Sequence, residues 1–221
     1  MKKMVMLAAG ILAVLVLMAG CAEQDETFAE KHYASDGAQI EGIVLDVRDR
    51  RIEVTCSPDD QVYIDYFESD KESYEISVTE DHILTMDAVS NREWKDYIGG
   101  KASAEFRSIL LQVPDGLLQQ LSLTTTNEEI SVSELSVSGD VVLSNNGGDI
   151  SFVRLDAGNS ITLQGKNGEI SGSIAGSYDD YAISSSIKKG ESNLPQSKDS
   201  GTKKLQASNN NGDIAIDFLP Q

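Results

Sequence analysis

Five acidic side chains recur at one position of a repeated turn, and they are the strongest candidates for chemistry in this sequence. Four turns end in an acidic residue followed by isoleucine, and they span Asn127–Ile130, Gly147–Ile150, Asn167–Ile170 and Asn211–Ile214. With one more from a degraded turn, the acidic residues are Glu129, Asp149, Glu169, Glu191 and Asp213. Stacked strands would bring neighbouring carboxylates to about 5 Å, where they repel unless Ca²⁺ or a basic ligand bridges them. This acidic ladder predicts either a weak cation or ligand site or a solvated edge that discourages aggregation.

The turns belong to a longer repeat. Writing the sequence at a 20-residue offset aligns the apolar columns Leu121/Val141/Ile161, Leu123/Leu143/Leu163 and Ile130/Ile150/Ile170. A 44-residue offset brings Leu205, Ala207 and Ile214 into the same columns. Each coil of such a repeat buries its inward side chains against the coils above and below, so no coil is stable alone. The sequence therefore predicts an all-β solenoid of stacked coils of about 20–22 residues.

One further coil is expected between the third and fourth turns. Tyr181 and Ile183 fall in the first two columns, and Gly190-Glu191 lies 22 residues after Gly168-Glu169. Residues 195–204 are polar and hold three lysines, which predicts an inserted surface loop. Insertions of this kind often lie on the functional face of a solenoid.

The N-terminal part of the fold also has the pattern of β-strands. Short alternating segments between Ile40 and Met86 are bounded by turn residues, and they predict antiparallel or irregular β-coils at this end. The segment 91–104 interrupts them, and its Gly99-Gly100 pair favours a loop. Its apolar side chains form either a plug over one end of the core or an exposed recognition patch; they are Trp94, Tyr97 and Ile98.

The first 37 residues have the pattern of an export signal and a tether. Lys2 and Lys3 precede an apolar run from Met4 to Met18, which is followed by Ala19-Gly20-Cys21. This segment resembles a bacterial lipoprotein signal, which implies removal of residues 1–20, lipidation of Cys21 and attachment to a membrane. An ordinary signal peptide with an unmodified cysteine is the alternative. Residues 21–37 are polar and acidic, which predicts a flexible tether before a folded domain at 38–221.

Charge and cysteine content limit the partners. Removal of the signal leaves 16 basic and 36 acidic residues, a net charge of −20. A surface this acidic argues against nucleic acid and against lying flat on anionic lipid. If Cys21 is lipidated, Cys56 is the single remaining thiol, so no intramolecular disulfide is expected.

The sequence has no recognisable catalytic motif. His32 and His82 are its two histidines, and neither belongs to a pattern that places a nucleophile beside a base. It has no cysteine and histidine spacing typical of zinc sites. The carboxylate pairs Asp59-Asp60 and Asp179-Asp180 are expected by chance in a chain this acidic. The sequence therefore predicts no enzyme activity, no cofactor other than a weakly bound Ca²⁺, and no strong metal site.

The repeated turns also resemble those of a known family. The segment from Ile109 to Pro114, the run Leu121–Asn127, the Asn-Gly-Asp/Glu-Ile turns and the closing Gly212–Ile216 resemble the bacterial putative-adhesin family. The likeness covers about residues 38–218, and it implies a right-handed β-helix-like solenoid without catalytic residues. Glu128 departs from the turn pattern, which has glycine at this position.

The sequence as a whole predicts a lipid-anchored, non-catalytic binding or adhesion module on the outer side of a bacterial membrane. Its ligand would be a surface, matrix or cell-wall component, bound on an exposed face of the strands or on the loop at 195–204. The alternative is a structural or sensory envelope lipoprotein that binds another envelope protein or a wall polymer.

Overall fold

The computed structural model describes residues 26–37, 39–90 and 102–220. The expected signal peptide, Cys21, and the segment with Trp94, Tyr97 and Ile98 lie outside these residues. The two expectations for that segment, a plug or a recognition patch, therefore stay predictions.

The regular secondary structure of the described residues is almost entirely β-strand. Its strands are β1 (Ala29–Ala34), β2 (Gly42–Asp46), β3 (Arg51–Cys56), β4 (Tyr63–Glu68), β5 (Glu72–Val78), β6 (Ile83–Ser90), β7 (Ser108–Val113), β8 (Gln120–Thr125), β9 (Ile130–Val132), β10 (Leu135–Val137), β11 (Asp140–Asn145), β12 (Ile150–Ala157), β13 (Ser160–Gly165), β14 (Ile170–Ala175), β15 (Tyr181–Lys189), β16 (Ser197–Lys198), β17 (Lys203–Asn211) and β18 (Ile214–Leu219). Two short 3-10 helical turns, Ala104–Arg107 and Tyr178–Asp180, precede β7 and β15.

The strands form two sheets that enclose one core. In the described part of the chain, the first sheet has the order β1-β4-β7-β3-β9-β12-β14-β18, with β10 also paired to β12. The second sheet has the order β16-β15-β17-β13-β11-β8-β2-β6-β5. From β11 to β14 the chain alternates between the two sheets, and the central strands pair in parallel. Stacked parallel coils of this kind make the predicted solenoid.

The register matches the apolar columns seen in the sequence. Val141 on β11 lies between Leu121 on β8 and Ile161 on β13. In the first sheet, Ile150 lies between Ile130 and Ile170. All six side chains are buried in the core, so the 20-residue offset is confirmed as the length of one coil.

The coils do not stack in chain order at the C-terminal end. Strand β17 lies between β13 and β15, although β15 precedes β17 in the sequence. Leu205 pairs with Ile161 on one side and with Ile183 on the other. The coil with the well-formed turn, Asn211-Gly212, therefore stacks directly on the third coil, and the coil with the degraded turn lies outermost.

The N-terminal end is closed by antiparallel strands, as predicted. Strand β4 pairs antiparallel with β7 and with β1, and β5 pairs antiparallel with β6. The prediction of a flexible tether over residues 21–37 needs correction, because Ala29–Ala34 form the edge strand β1. Its Tyr33 packs against the core, and the His32 Nδ1 atom lies 2.6 Å from the Asp65 Oδ1 atom. Backbone pairing with β4 orders this polar segment without an apolar pattern of its own.

A buried arginine joins the antiparallel end to the coils. Arg50 is 4% exposed; its Nε atom donates to the Tyr74 hydroxyl at 2.6 Å and its Nη2 atom lies 2.5 Å from a Glu72 carboxylate oxygen. The Thr125 hydroxyl donates to the Arg50 carbonyl at 2.7 Å. Burial raises the pKa of Tyr74, so the phenol accepts this bond in its neutral form. Arg50 therefore connects three elements: the β2–β3 turn, β5 and β8.

Candidate functional site

The structure brings the acidic ladder together along one corner of the solenoid. Each isoleucine that follows a turn donates its backbone N–H to the carbonyl of an acidic residue on the neighbouring coil, at 2.8–3.0 Å. The resulting spatial order is Glu129, Asp149, Glu169, Asp213 and Glu191. Glu191 therefore lies at the end of the ladder, because its coil is the outermost one.

Several ladder carboxylates already have partners within the protein. An Asp149 carboxylate oxygen accepts the backbone N–H of Glu169 at 2.7 Å, and Asp213 accepts that of Glu191 at 2.8 Å. The Ser151 hydroxyl donates to Glu129 at 2.9 Å. These bonds hold each turn to the next one.

Within residues 26–37, 39–90 and 102–220, no group of three or more His, Cys, Asp or Glu residues is arranged to hold a metal ion. A weak cation or ligand site on the ladder stays a prediction.

The turns use their glycines in two different ways. Gly212 has a φ of +116° and thus the left-handed geometry expected after asparagine. Gly147 does not have a left-handed φ; a Cβ atom there would lie 2.9 Å from the Cα atom of Asn127 on the neighbouring coil. The first glycine of this turn is therefore required by close stacking of the coils and not by left-handed geometry.

Glu128, which departs from the glycine pattern, has a structural role. The left-handed position of this turn is taken by Asn127, with a φ of +65°, so a side chain at 128 is tolerated. The Glu128 carboxylate forms an ion pair with Arg107. Arg107 also donates to the Ala102 carbonyl at 2.9 Å. Through its ion pair with Arg107, Glu128 thus holds the segment just before β7 against the first turn.

Two buried asparagines complete the turns, and the sequence reasoning missed them. The Asn145 side-chain oxygen accepts the backbone N–H groups of Gly147 and Gly148, both at 3.1 Å. Its amide nitrogen donates to the Glu128 carbonyl at 2.6 Å. Asn209 donates similarly to Gly168 and Gly212. The signal that could have revealed them is an asparagine at an inward position of a strand, two residues after a buried leucine or alanine.

The outward side of the second sheet is a broad surface of uncharged polar residues. The outward residues at the middle of β8, β11, β13, β17 and β15 are Ser122, Thr124, Val142, Ser144, Thr162, Gln164, Gln206, Ser208, Ser184 and Ser186. We call this set the polar face. No hydrogen bond joins these side chains to any other described residue. Since neighbouring strands lie about 4.8 Å apart, the polar face presents a regular array of hydroxyl and amide groups to solvent.

The polar face continues into a groove at the ends where the strands begin. The groove has a volume of about 570 Å³ and is lined by Glu41, Asp81, Ile83, Leu117, Gln119, Gln120, Ser138, Gly139, Asp140 and Asn159. Gln119 donates to a Glu41 carboxylate oxygen at 3.0 Å, and the Ser160 hydroxyl donates to Asp140 at 2.5 Å. Leu117 is 54% exposed. The groove thus combines carboxylates, amides and one exposed apolar side chain.

The loop at 195–204 packs over the C-terminal end of the solenoid. Its strand β16 pairs antiparallel with β15. The Lys198 ammonium group donates to the carbonyls of Tyr181 and Ser200, both at 2.7 Å, and lies 4.8 Å from the centre of the Tyr178 ring. This lysine therefore holds the loop in place, and a role of the loop in recognition stays a prediction.

The other chemically active side chains have structural partners. The Cys56 thiol donates to the Glu134 carbonyl at 3.1 Å. Partial burial, with Asp115 and Glu134 nearby, raises the pKa of Cys56, which favours the protonated thiol. His82 adopts a φ of +59° in the turn that enters β6. Asp180 accepts the Ser177 backbone N–H and so caps the short helical turn before β15.

Two sheets built from stacked, mainly parallel coils define this protein as a β-solenoid of the repeat class. A family model described as Toastrack DUF4097 matches residues 40–217, and the chain belongs to this family. The match confirms the family resemblance that the repeated turns suggested. No curated protein matches the sequence.

The solved structures that match this chain include the following two. A putative cell adhesion protein from Clostridium sporogenes ATCC 15579 superposes with a TM-score of 0.65 at 10% identity, over 88% of this chain and 100% of that one. A putative adhesin from Bacteroides fragilis NCTC 9343 has a TM-score of 0.39 at 9% identity, over 87% and 97% of the two chains. The first likeness shows a shared fold. In the portion of this chain that the structure describes, no helix has the length and apolar character needed to cross a membrane.

Proposed function

We propose that this protein is a lipid-anchored, non-catalytic binding or adhesion module on the bacterial cell surface. The observation that carries the proposal is the polar face with its adjoining groove, which offers a wide recognition surface on a rigid scaffold. Solenoid proteins commonly bind ligands on such extended surfaces. A structure with a similar fold is described as a putative cell adhesion protein, which supports the proposed binding function.

The anchor in this proposal is lipidated Cys21. Acyl chains add about 0.8 kcal/mol of membrane affinity for each buried methylene. Seven residues, 22–28, separate Cys21 from β1, and a fully extended segment of this length spans at most about 25 Å. The N-terminal end of the solenoid would therefore stay close to the membrane, with the polar face exposed beside it.

The anchor is tested by comparing full-length wild-type protein with Cys21→Ala and Cys56→Ala variants in bacterial cells. We expect wild type and Cys56→Ala to fractionate with membranes and to yield a lipid-modified N-terminal peptide in mass spectrometry. Cys21→Ala should lack this modified peptide. Detection of an unmodified N-terminus in the mature wild-type protein would contradict lipidation.

The binding function is tested with the mature protein displayed on membrane vesicles. Wall polysaccharides and matrix proteins are added in a panel, with calcium and with chelator. Saturable binding of one panel member supports the proposal, and its loss in chelator would give the acidic ladder a role. If nothing binds and crosslinking in native membranes captures one envelope protein, the protein is a structural or sensory envelope component instead.

A further inference from the structure

We infer that the groove and the polar face form one site for a polysaccharide that carries free amino groups. The inference rests on the proposed binding function and specifies its ligand class. It combines three features of the described residues: the continuity of the two surfaces, the charge of the groove, and the hydrogen-bonding groups of the face.

The groove and the polar face are continuous through two residues. Gln120 and Asp140 line the groove and are also the first outward residues of β8 and β11. Two positions further along these strands lie Ser122 and Val142, which belong to the polar face. A polymer in the groove would therefore meet the rows of hydroxyl and amide groups without crossing a ridge of charged side chains.

The charge of the groove selects the ligand. Glu41, Asp81 and Asp140 line it, and no lysine or arginine is among its described lining residues. A neutral ligand would strip water from these carboxylates without offering a counter-charge, which costs several kcal/mol for each desolvated ion. An ammonium group compensates the charge and forms strong charge-assisted hydrogen bonds. An anionic polymer would be repelled by the groove and by the acidic protein as a whole.

The polar face favours a sugar polymer over a basic peptide. Serine, threonine and glutamine each both donate and accept hydrogen bonds, as sugar hydroxyls do. Nine of the ten positions of the polar face have one of these residues, the tenth is Val142, and none is charged, although 24% of the chain is charged. The exposed Leu117 can pack against the apolar face of a sugar ring. An ammonium-bearing polysaccharide uses all of these groups, whereas a polylysine chain uses the carboxylates alone.

The inference is tested by titrating the mature protein with three oligomers of equal length in a calorimeter. The probes are glucosamine oligomers, N-acetylglucosamine oligomers and a lysine peptide. We expect the glucosamine oligomers to bind at least about tenfold more tightly than the acetylated oligomers, a difference that one well-formed charged hydrogen bond can supply. They should also bind more tightly than the lysine peptide, because only the sugar uses the hydroxyl and amide groups of the polar face.

Matched variants locate the site. The double change Glu41→Gln with Asp140→Asn should weaken glucosamine binding about tenfold, and Glu53→Gln on the opposite sheet should leave it unchanged. The double change Ser144→Ala with Thr162→Val should weaken glucosamine binding and leave binding of the lysine peptide unaffected. An equal effect of all these variants would overturn the assignment of the site.

The remaining outcomes separate this inference from the proposed function. Equal affinity for the acetylated oligomers would overturn the requirement for amino groups, and equal affinity for the lysine peptide would overturn the sugar specificity. Neither outcome would contradict a binding function. If none of the three probes binds, the inference is wrong, while the proposed function is decided separately by the vesicle panel.

Discussion

Asn145 and Asn209 show how single buried polar residues determine the shape of a coil. Each lies at the end of an inward-facing row, at β11 and β17, and donates to backbone carbonyls on its own turn and on the neighbouring one. Polar backbone groups at the corner of a coil cannot all pair within the sheets, and an unpaired buried group is costly. The asparagines supply the missing partners, so one side chain stabilises two coils.

The first prediction concerns Asn145. Replacement by alanine should lower the free energy of unfolding by about 1–3 kcal/mol, because the N–H groups of Gly147 and Gly148 lose their acceptor. The measurement is urea unfolding followed by circular dichroism. Asn146→Ala is the control, since Asn146 is the exposed neighbour in the same turn. Equal effects of the two substitutions would contradict this role for Asn145.

The second prediction concerns Arg50. Its replacement by methionine keeps much of the side-chain volume but removes the ion pair with Glu72 and the hydrogen bond to Tyr74, and loss of one partner of a buried pair costs about 3 kcal/mol. We expect a correspondingly lower midpoint in urea, with antiparallel strands β4 and β5 exchanging their amide hydrogens fastest. Arg51→Met, at an exposed neighbouring position, is the control and should change little. A stable Arg50→Met protein would show that the antiparallel end needs no such link.

At the scale of elements, the repeat predicts the strands and their register better than their order. The columns through Leu121, Val141 and Ile161 fix the coil length, because every coil must bury its inward residues against the next. The order of β15 and β17 could not be predicted. Both coils have about the same length and pattern, and their positions depend on which coil packs better against β13.

The sequence did not predict strand β1 or the polar face, and the reason differs from the one that applies to the order of β15 and β17. Residues 29–34 have no apolar pattern, and they form a strand because β4 offers a free edge, which a linear sequence does not show. The polar face consists of single alternating residues on five separate strands. Each is an ordinary solvent-facing residue when taken alone, and only the register of the sheet assembles them into a surface.

The third prediction concerns the packing of coils at Gly212. A Cβ atom there would lie 2.0 Å from the Gly168 carbonyl oxygen on the neighbouring coil. Gly212→Ala should therefore cost more than about 2 kcal/mol of unfolding free energy, since both the left-handed backbone and the close contact are violated. Gly116→Ala is the control, because Gly116 has a φ of +72° and open space around it. Thermal unfolding of both variants measures the difference, and similar melting temperatures would disprove the packing argument.

At the scale of the whole molecule, charge is distributed unevenly along the solenoid. Residues 22–149 contain 28 acidic and 9 basic residues, whereas residues 150–221 contain 8 and 7. The excess negative charge is thus concentrated toward the N-terminal end. If Cys21 is lipidated, the most acidic end faces the membrane, and repulsion from anionic headgroups would hold the solenoid upright.

The fourth prediction follows from the cysteine content. Cys56 is a free thiol, so the folded domain should melt at the same temperature with and without reductant. The measurement is calorimetry of the mature protein at two reductant concentrations, with a Cys56→Ser variant as a control for effects of the thiol itself. A marked drop in melting temperature under reduction of the wild type would mean that a disulfide stabilises the protein.

The placement of β17 between β13 and β15 has a consequence for biosynthesis. During synthesis the N-terminal part of a chain emerges first, so β15 becomes available before the strand that must separate it from β13. Until β17 and β18 arrive, β13 and β14 keep a free edge that is open to proteases and to other unfinished chains. A molecule cut short after β15 can never fill that gap. The order of strands therefore makes completion of the fold depend on synthesis of nearly the entire polypeptide.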